Sequence, residues 1–426
     1  MYPSLRPAAV LGAEDGPPTE DSPTGEDPPR SGPLVSANVV FLGLTSLFTD
    51  ISSEMVTAIL PLYLLFQLRF SYLEFGLFNG LYLGVSGLMT VAGAVIADRR
   101  GRYKEVAGAG YGTSAACKLG LLAARNAPWP ASSVLFADRV GKGVRSAPRD
   151  ALISLSAEPK RLGTAFGVHR AFDTAGAVVG PLVAYFILRT APTAYDAIFV
   201  VSFLFALIGL GILVLFVQNR SAAHTSNLAA TWRGALRLLQ RKDFRALVIV
   251  GSLFGLFTIL DAQLYVIFQN RTSFNTSYFP LLPVGMAISY LVLAVPLGHL
   301  ADRVGRSRVF IAGFLLLLGV YLILLTPSPG RVELIAMLAL LGAFYACTDG
   351  VLMAMASTTV PRELRTSGIA VLTTAASLST MTTGIVWGQF SEWWGLQTTV
   401  KVYAVAVGAM VIIGAFLLRV RARRYG

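Results

Sequence analysis

Charge is what this chain has least of. Only 14% of its 426 residues are Asp, Glu, Lys or Arg, against roughly 25% in soluble domains. Histidine occurs three times (His169, His224, His299) and cysteine twice (Cys117, Cys347). So few imidazoles and thiols leave little room for a zinc cluster or a disulfide framework. No Walker-type phosphate loop occurs, and no nucleophile stands convincingly beside a base. These absences argue against an enzyme, and neither a cofactor nor a metal site is expected. The two cysteines lie in different apolar segments and read as free buried thiols.

What is present is apolar. Hydrophobic residues make up 54% of the chain and the mean hydropathy is +0.64. A soluble core cannot absorb that much apolar surface, whereas a bilayer can. A crossing helix needs about 20 mostly apolar residues. Twelve candidates stand at 38–68, 73–97, 106–125, 131–153, 163–189, 195–217, 245–269, 278–300, 309–326, 331–357, 367–392 and 396–418. The expected fold is an all-α polytopic membrane protein, with twelve transmembrane helices in two pseudo-symmetric six-helix halves. Residues 1–36 are rich in proline and acids and poor in large apolar side chains, so they read as a disordered tail. The first half then spans 37–217 and the second 245–420. A basic linker, 218–244, joins them, and 421–426 form a short basic tail.

The net charge of +12 could suggest a nucleic-acid partner. Its distribution argues otherwise. Alternate connections and the C-terminal tail hold 21 basic residues, and the opposite connections hold five: Arg69, Arg125, Arg189, Arg271 and Arg331. This is the positive-inside asymmetry. It places both termini in the cytoplasm of a multi-pass protein of the cell (plasma or inner) membrane.

One phrase occurs twice. GAVIADRRGRYK begins at Gly93 and GHLADRVGRSR at Gly298, each between two apolar segments. Asp98 and Asp302 are 204 positions apart, and Pro159 and Pro361 are 202 apart. A charged hairpin repeated at a near-constant offset marks a molecule built from two similar membrane halves, the plan of many secondary transporters.

The repeated phrase and the twelve-span layout resemble the major facilitator superfamily, of the prokaryotic twelve-helix type, over nearly the whole chain after residue 36. RVGKG (Arg139–Gly143) is similar to a second motif of that family. GAVVGP (Gly176–Pro181) is similar to the fifth-helix motif of its proton-coupled exporters, keeping Gly176, Gly180 and Pro181. The resemblance implies a gate built from Asp98, Arg99, Gly101 and Arg102 in one loop, and Asp302, Arg303, Gly305 and Arg306 in the other. Asp98 would cap the start of the eleventh helix near Thr366–Gly368, with Arg149 as its candidate ion partner. Asp302 would do the same near Gly163. Ordinary loop charges that only fix topology are the plainer alternative.

Charges inside the spans are the other signal, because each costs about 2.5–3.5 kcal/mol at the bilayer centre on insertion scales. Asp50 and Glu54 share one face of the first helix, at i,i+4. Lys118 lies in the third. Asp138, Lys142, Arg145 and Arg149 form a stripe along the fourth, with Arg139 beside it. The second half has Asp261 and Asp349. Such a stripe must face a watery cavity or paired charges. Asp50 and Glu54 are the proton-carrier candidates. Arg139, Lys142 and Arg145 are candidates to bind an anionic or zwitterionic solute, or to clamp the acids. A salt-bridge network that merely holds helices together is the competing reading.

The expected function is proton-coupled export of a small organic solute by alternating access, by a monomer, with the bilayer as its other partner and no nucleic acid. Proton-coupled uptake, or a sensor or scaffold on the same fold, are the alternatives.

Overall fold

The computed structural model describes residues 35–124, 127–158, 161–220, 238–272, 274–360 and 365–425. The expected tail falls almost wholly outside these residues, as does 221–237 of the expected linker. Among the described residues there is no strand. The helices are α1 (Ala37–Leu62, continued by a π-helical turn Tyr63–Gln67), α2 (Tyr72–Arg100), α3 (Tyr103–Ala123), α4 (Pro128–Leu155), α5 (Leu162–Thr190), α6 (Tyr195–Phe216), α7 (Lys242–Leu256), α8 (Asp261–Arg271), α9 (Leu281–Val304), α10 (Arg306–Leu325), α11 (Arg331–Thr359) and α12 (Arg365–Tyr425).

Local chemistry sets many of the ends. Ser71 and Glu74 form a capping box at the start of α2: Ser71 Oγ accepts from the Glu74 amide at 3.2 Å and Glu74 Oε2 from the Ser71 amide at 2.8 Å. Gly101 ends α2 at φ 61°, and Gly305 separates α9 from α10 at φ 111°. Both are the glycine of the repeated phrase, and both hold a backbone angle that a side chain would strain. Gly395 (φ 78°) breaks α12 in the same way.

Nine helical stretches among the described residues are long and apolar enough to cross a bilayer. One of them, Val371–Ala415, runs 45 residues across the Gly395 break and has length for two passes. The charge-bearing α4 and its neighbour α3 are not among the nine. Together these helices fit twelve crossings. The chain adopts an all-α polytopic membrane fold.

One expected span is not a single helix. The stretch expected at 245–269 breaks into α7 and α8 across Phe257–Leu260. Freed backbone groups inside a membrane need partners, and the second half supplies them. The Tyr321 hydroxyl donates to the Phe257 carbonyl and accepts from the Ile259 amide, both at 2.9 Å. Thr383 Oγ1 lies 3.0 Å from the carbonyls of Gly255 and Leu256.

The two halves meet at one end and part at the other. We call the end holding Gly101, Gly305 and Lys242 the basic end. At the far end Trp387 of α12 packs edge-on against Tyr72 and Phe75 of α2. Tyr185 of α5 meets Tyr278 with ring centres 5.5 Å apart, and Ser277 Oγ donates to the Leu188 carbonyl at 3.1 Å. α2 and α12 approach backbone to backbone: a Cβ on Gly80 would lie 2.7 Å from the Met381 carbonyl, and one on Gly388 2.8 Å from that of Tyr72. One apolar cluster therefore runs through both halves. At the basic end each half has a cluster of its own, Val39, Tyr103, Ile153 and Leu213 among the first, and Leu238, Phe244, Val360 and Val371 in the second. Cβ atoms on Gly163 and Gly167 of α5, or on Gly298 of α9, would meet nothing within 4 Å. Among the described residues the contacts between the halves close the far end, and parts of the basic end, including the side chains of 98–100 and 361–367, lie outside those residues.

Candidate functional site

The in-membrane charges assemble into a ladder between α1 and α4. The helices run antiparallel, so ascending positions on one meet descending positions on the other. Lys142 Nζ donates to Glu54 Oε1 at 3.1 Å. Arg145 Nη2 lies 3.6 Å from Asp50 Oδ1. Arg149 Nη1 donates to Ser46 Oγ at 3.2 Å. Residues 46, 50 and 54 are spaced one turn apart on α1, as helix geometry requires for a single face. The stripe expected on α4 thus faces α1.

A second layer lies behind the ladder. Asp138 accepts from Lys118 Nζ of α3 at 2.8 Å and from Arg139 Nη2 at 3.1 Å. All three side chains are sealed, at 5% exposure or less, whereas Glu54 and Lys142 are 25% and 27% exposed. That difference separates an internal brace from a pair within reach of solvent. The guanidinium of Arg139 stands 4.2 Å above the Tyr82 ring, and that of Arg145 4.4 Å above Tyr111. Stacking of this kind stabilises a cation without cancelling its charge.

Toward the basic end, Arg149 also donates through Nε and Nη2 to Asp150, both at 3.2 Å. His169 is fully buried, with Nε2 2.9 Å from Ser46 Oγ and Nδ1 3.5 Å from Asp173.

α5 holds α1 in this register. A Cβ on Gly176 would lie 2.8 Å from the Leu47 carbonyl and 3.0 Å from Asp50 Cβ. One on Gly180 would lie 2.7 Å from the Ile51 carbonyl and 3.0 Å from Glu54 Cβ. The two glycines thus seat α1 against α5 while Asp50 and Glu54 reach across to α4. Pro181 follows inside the helix and is buried.

The second half contributes differently. Asp261 opens α8 at the helix break and accepts from the Tyr345 hydroxyl of α11 at 2.7 Å. Asp349, one turn further along α11, has no ion pair or hydrogen bond among the described residues. The two acids lie in electrostatic reach of each other. They are not brought to the α1–α4 ladder.

The side chains of Asp98 and Arg99, and that of Thr366, lie outside the described residues, so the contact expected there is not visible. Arg149, expected as the partner of Asp98, donates to Asp150 and to Ser46. Asp302 is 62% exposed and accepts from Arg306 of its own loop, at 3.1 Å from Nε and 3.0 Å from Nη2. It does not reach Gly163, whose surroundings are empty. Arg306 also donates to the Ala354 carbonyl at 3.3 Å. Arg303 is a last-turn residue of α9 and Arg102 the N-cap residue of α3. Sequence reasoning missed Ser46, Tyr82, Tyr111 and Tyr345. Only Ser46 carried a signal, since it lies one turn before Asp50.

The family model described as Major Facilitator Superfamily matches residues 42–289 and 264–425. An uncharacterized MFS-type transporter of Methanocaldococcus jannaschii is 29% identical over 366 residues, 83% of this chain and 88% of that relative. An uncharacterized protein of Mycobacterium tuberculosis strain H37Rv is 38% identical over 125 residues, 28% of this chain and 30% of its own. Among solved structures, the nucleoside transporter NupG superposes with a TM-score of 0.75 at 15% identity, covering 90% of this chain and 99% of its own. A POT family transporter in complex with 5-aminolevulinic acid gives 0.74 at 14%, covering 91% and 96%. At such identities these structures show a shared fold. With the family match across both halves, they establish that the chain is a membrane transporter belonging to the Major Facilitator Superfamily.

Proposed function

We propose that the chain exports a small organic solute across the cell membrane by alternating access, driven by protons moving the other way. Its basic end and both termini lie in the cytoplasm, as the asymmetry of basic loop residues favours. The observation that carries the reading is the solvent-reachable pair Glu54–Lys142, in a molecule whose halves join at one end and part at the other. A carboxylate whose cation partner and hydration change with the conformation binds its proton differently in the two states. That difference couples proton movement to the switch. Asp50, paired with Arg145, is the second proton carrier. The phrases around Asp98 and Asp302 form the gate that closes the basic end in the other conformation, which fits the empty surroundings of Gly163 in this one.

The test uses spin labels at Thr164→Cys and Val304→Cys, on the parted ends of α5 and α9, with the full chain in lipid nanodiscs. Lowering the pH should change the label separation in the otherwise unaltered chain, and Glu54→Gln should remove most of that response. A separation that ignores pH in both proteins would sink the proton-coupled reading. Solute flux under an imposed pH gradient then decides between export and uptake.

A further inference from the structure

The acids that precede α1 are not scattered. Glu14–Asp15, Glu20–Asp21 and Glu26–Asp27 are three doublets, each six positions from the next, set among prolines and opposed within residues 1–34 only by Arg6 and Arg30. The point where this stretch joins the described structure is fixed. Ser36 Oγ donates to the Ser156 carbonyl at 2.6 Å, Asn38 Nδ2 donates to Ser156 Oγ at 2.6 Å, and the Gln218 amide donates to Asn38 Oδ1 at 2.8 Å. The stretch therefore meets α1 at the basic end, beside the ends of α4 and α6. From Ser36 an extended chain reaches Asp27 within about 30 Å and Asp15 within about 70 Å.

The surface around that point lacks counter-ions. Arg102, Arg170 and Arg220 of the first half and Lys242, Arg245 and Arg303 of the second are exposed, and none has an ion pair among the described residues. Of the exposed acids described at this end, Glu158 and Asp302 hold Arg161 and Arg306, and Glu105 accepts from Asn219, which leaves Asp243. The positive-inside bias accounts for basic residues at the rim, where lipid headgroups reach them. It does not account for Arg170. That residue shares a face of α5 with Gly163 and Gly167 and stands about 10 Å along the helix from Gly163. It is within electrostatic reach of Tyr290 on α9, so it faces the second half and not the headgroups.

We propose that the acidic stretch Glu14–Asp27 of this same chain docks on the cations of the basic end. Charge complementarity and the tether select this occupant. Single exposed ion pairs are weak, but three doublets on one chain bind together, and a short tether holds them at an effective concentration in the millimolar range. Six residues are two turns of a polyproline II helix, so a docked extended stretch presents its doublets on one edge, about 19 Å apart. The cations belong to both halves. A docked stretch therefore bridges them, holds the basic end parted, and has to leave before that end closes. Docking depends on neither the direction of transport nor the proton carrier.

The experiment takes the full chain in nanodiscs of phosphatidylcholine, with a spin label at Thr24→Cys paired in turn with Thr164→Cys and Val304→Cys. Both distance distributions should be narrow at low salt and broaden in about 0.5 M KCl, where the Debye length is below about 5 Å. Replacing the six acids by Gln and Asn should broaden them at every salt concentration and leave the melting temperature unchanged. In that variant the fraction of molecules with the parted Thr164–Val304 separation should fall at least about twofold, as expected when several weak pairs are lost together. Arg170→Gln with Arg220→Gln and Arg245→Gln should broaden the Thr24 distributions while the acids are intact. Broad distributions at low salt, or narrow ones that survive the loss of the acids, would overturn the proposal. Docking without any change in the parted fraction would remove the holding role. The narrow distributions should persist when a third of the lipid is phosphatidylglycerol; their loss there would assign the cations to headgroups and also overturn the proposal. The pH response of the Thr164–Val304 pair reports on proton coupling separately, so either idea can fail while the other stands.

Discussion

At the scale of single residues, the charged groups fall into two kinds, divided by exposure. Lys118, Asp138 and Arg139 are sealed, and both cations share Asp138, while Arg139 Nε has no hydrogen-bond partner among the described residues. Breaking a buried pair leaves a charge uncompensated, typically at a cost of about 3–5 kcal/mol. Lys118→Met should therefore lower the melting temperature sharply and reduce the yield of monodisperse protein in detergent. Lys118→Met with Asp138→Asn should recover part of that loss, because the stranded charge is then gone. Glu54 and Lys142 are the opposite case. Both are partly buried and within reach of solvent, so the pair stands between exposed pairs, which contribute about 0–1 kcal/mol, and sealed ones. Lys142→Gln should leave the melting temperature within a few degrees while altering the pH response of the label separation. A fall as large as that of Lys118→Met would make this pair another brace.

At the scale of helices, small residues decide where the ladder stands. Gly180 has no space for a Cβ beside the Ile51 carbonyl, so Gly180→Val should push α1 off α5 and separate Glu54 from Lys142. Overpacking of this sort typically costs about 1–3 kcal/mol, measurable by thermal unfolding, and the pH response should be lost with it. Thr383→Val tests the broken helix. It removes the hydroxyl that faces the Gly255 and Leu256 carbonyls, and should destabilise by about 1–3 kcal/mol.

Much of this scale was legible in the sequence. The i,i+4 acids of α1, the stripe on α4 and the Gly176–Gly180 spacing all follow from helical periodicity, and the structure joins the first two rung by rung. The break between α7 and α8 was not legible. The stretch 245–269 is apolar throughout its centre, and what stabilises the break is Tyr321 and Thr383, 62 and 128 positions away from the groups they hold. The stacking of Arg139 on Tyr82 and Arg145 on Tyr111 was hidden for the same reason, because both rings come from other helices.

At the scale of the whole molecule, the glycine-lined approach of α2 and α12 holds the far end shut. Gly80→Val places atoms against the Met381 carbonyl and should shift the population toward a state open at the far end. Labels across that end should move apart, and those at Thr164 and Val304 should approach. No change in either pair would mean that the α2–α12 contact persists throughout the cycle. The repeated phrase announced two halves, and its glycines explain themselves as turn residues at Gly101 and Gly305. Which end is closed could not be read from it, since both loops belong to the same end.

In the proposed cycle the two ends are sealed by different materials. The far end closes through Trp387, Tyr72, Phe75 and glycine-backed contacts, whereas the basic end offers Asp302, Arg306 and their neighbours. Apolar association weakens on cooling, and charged contacts do not share its heat-capacity signature. The balance between the two states is therefore a thermometer. Chilling loosens the aromatic plug while sparing the ionic one, so the population ratio should bend rather than run straight against reciprocal temperature.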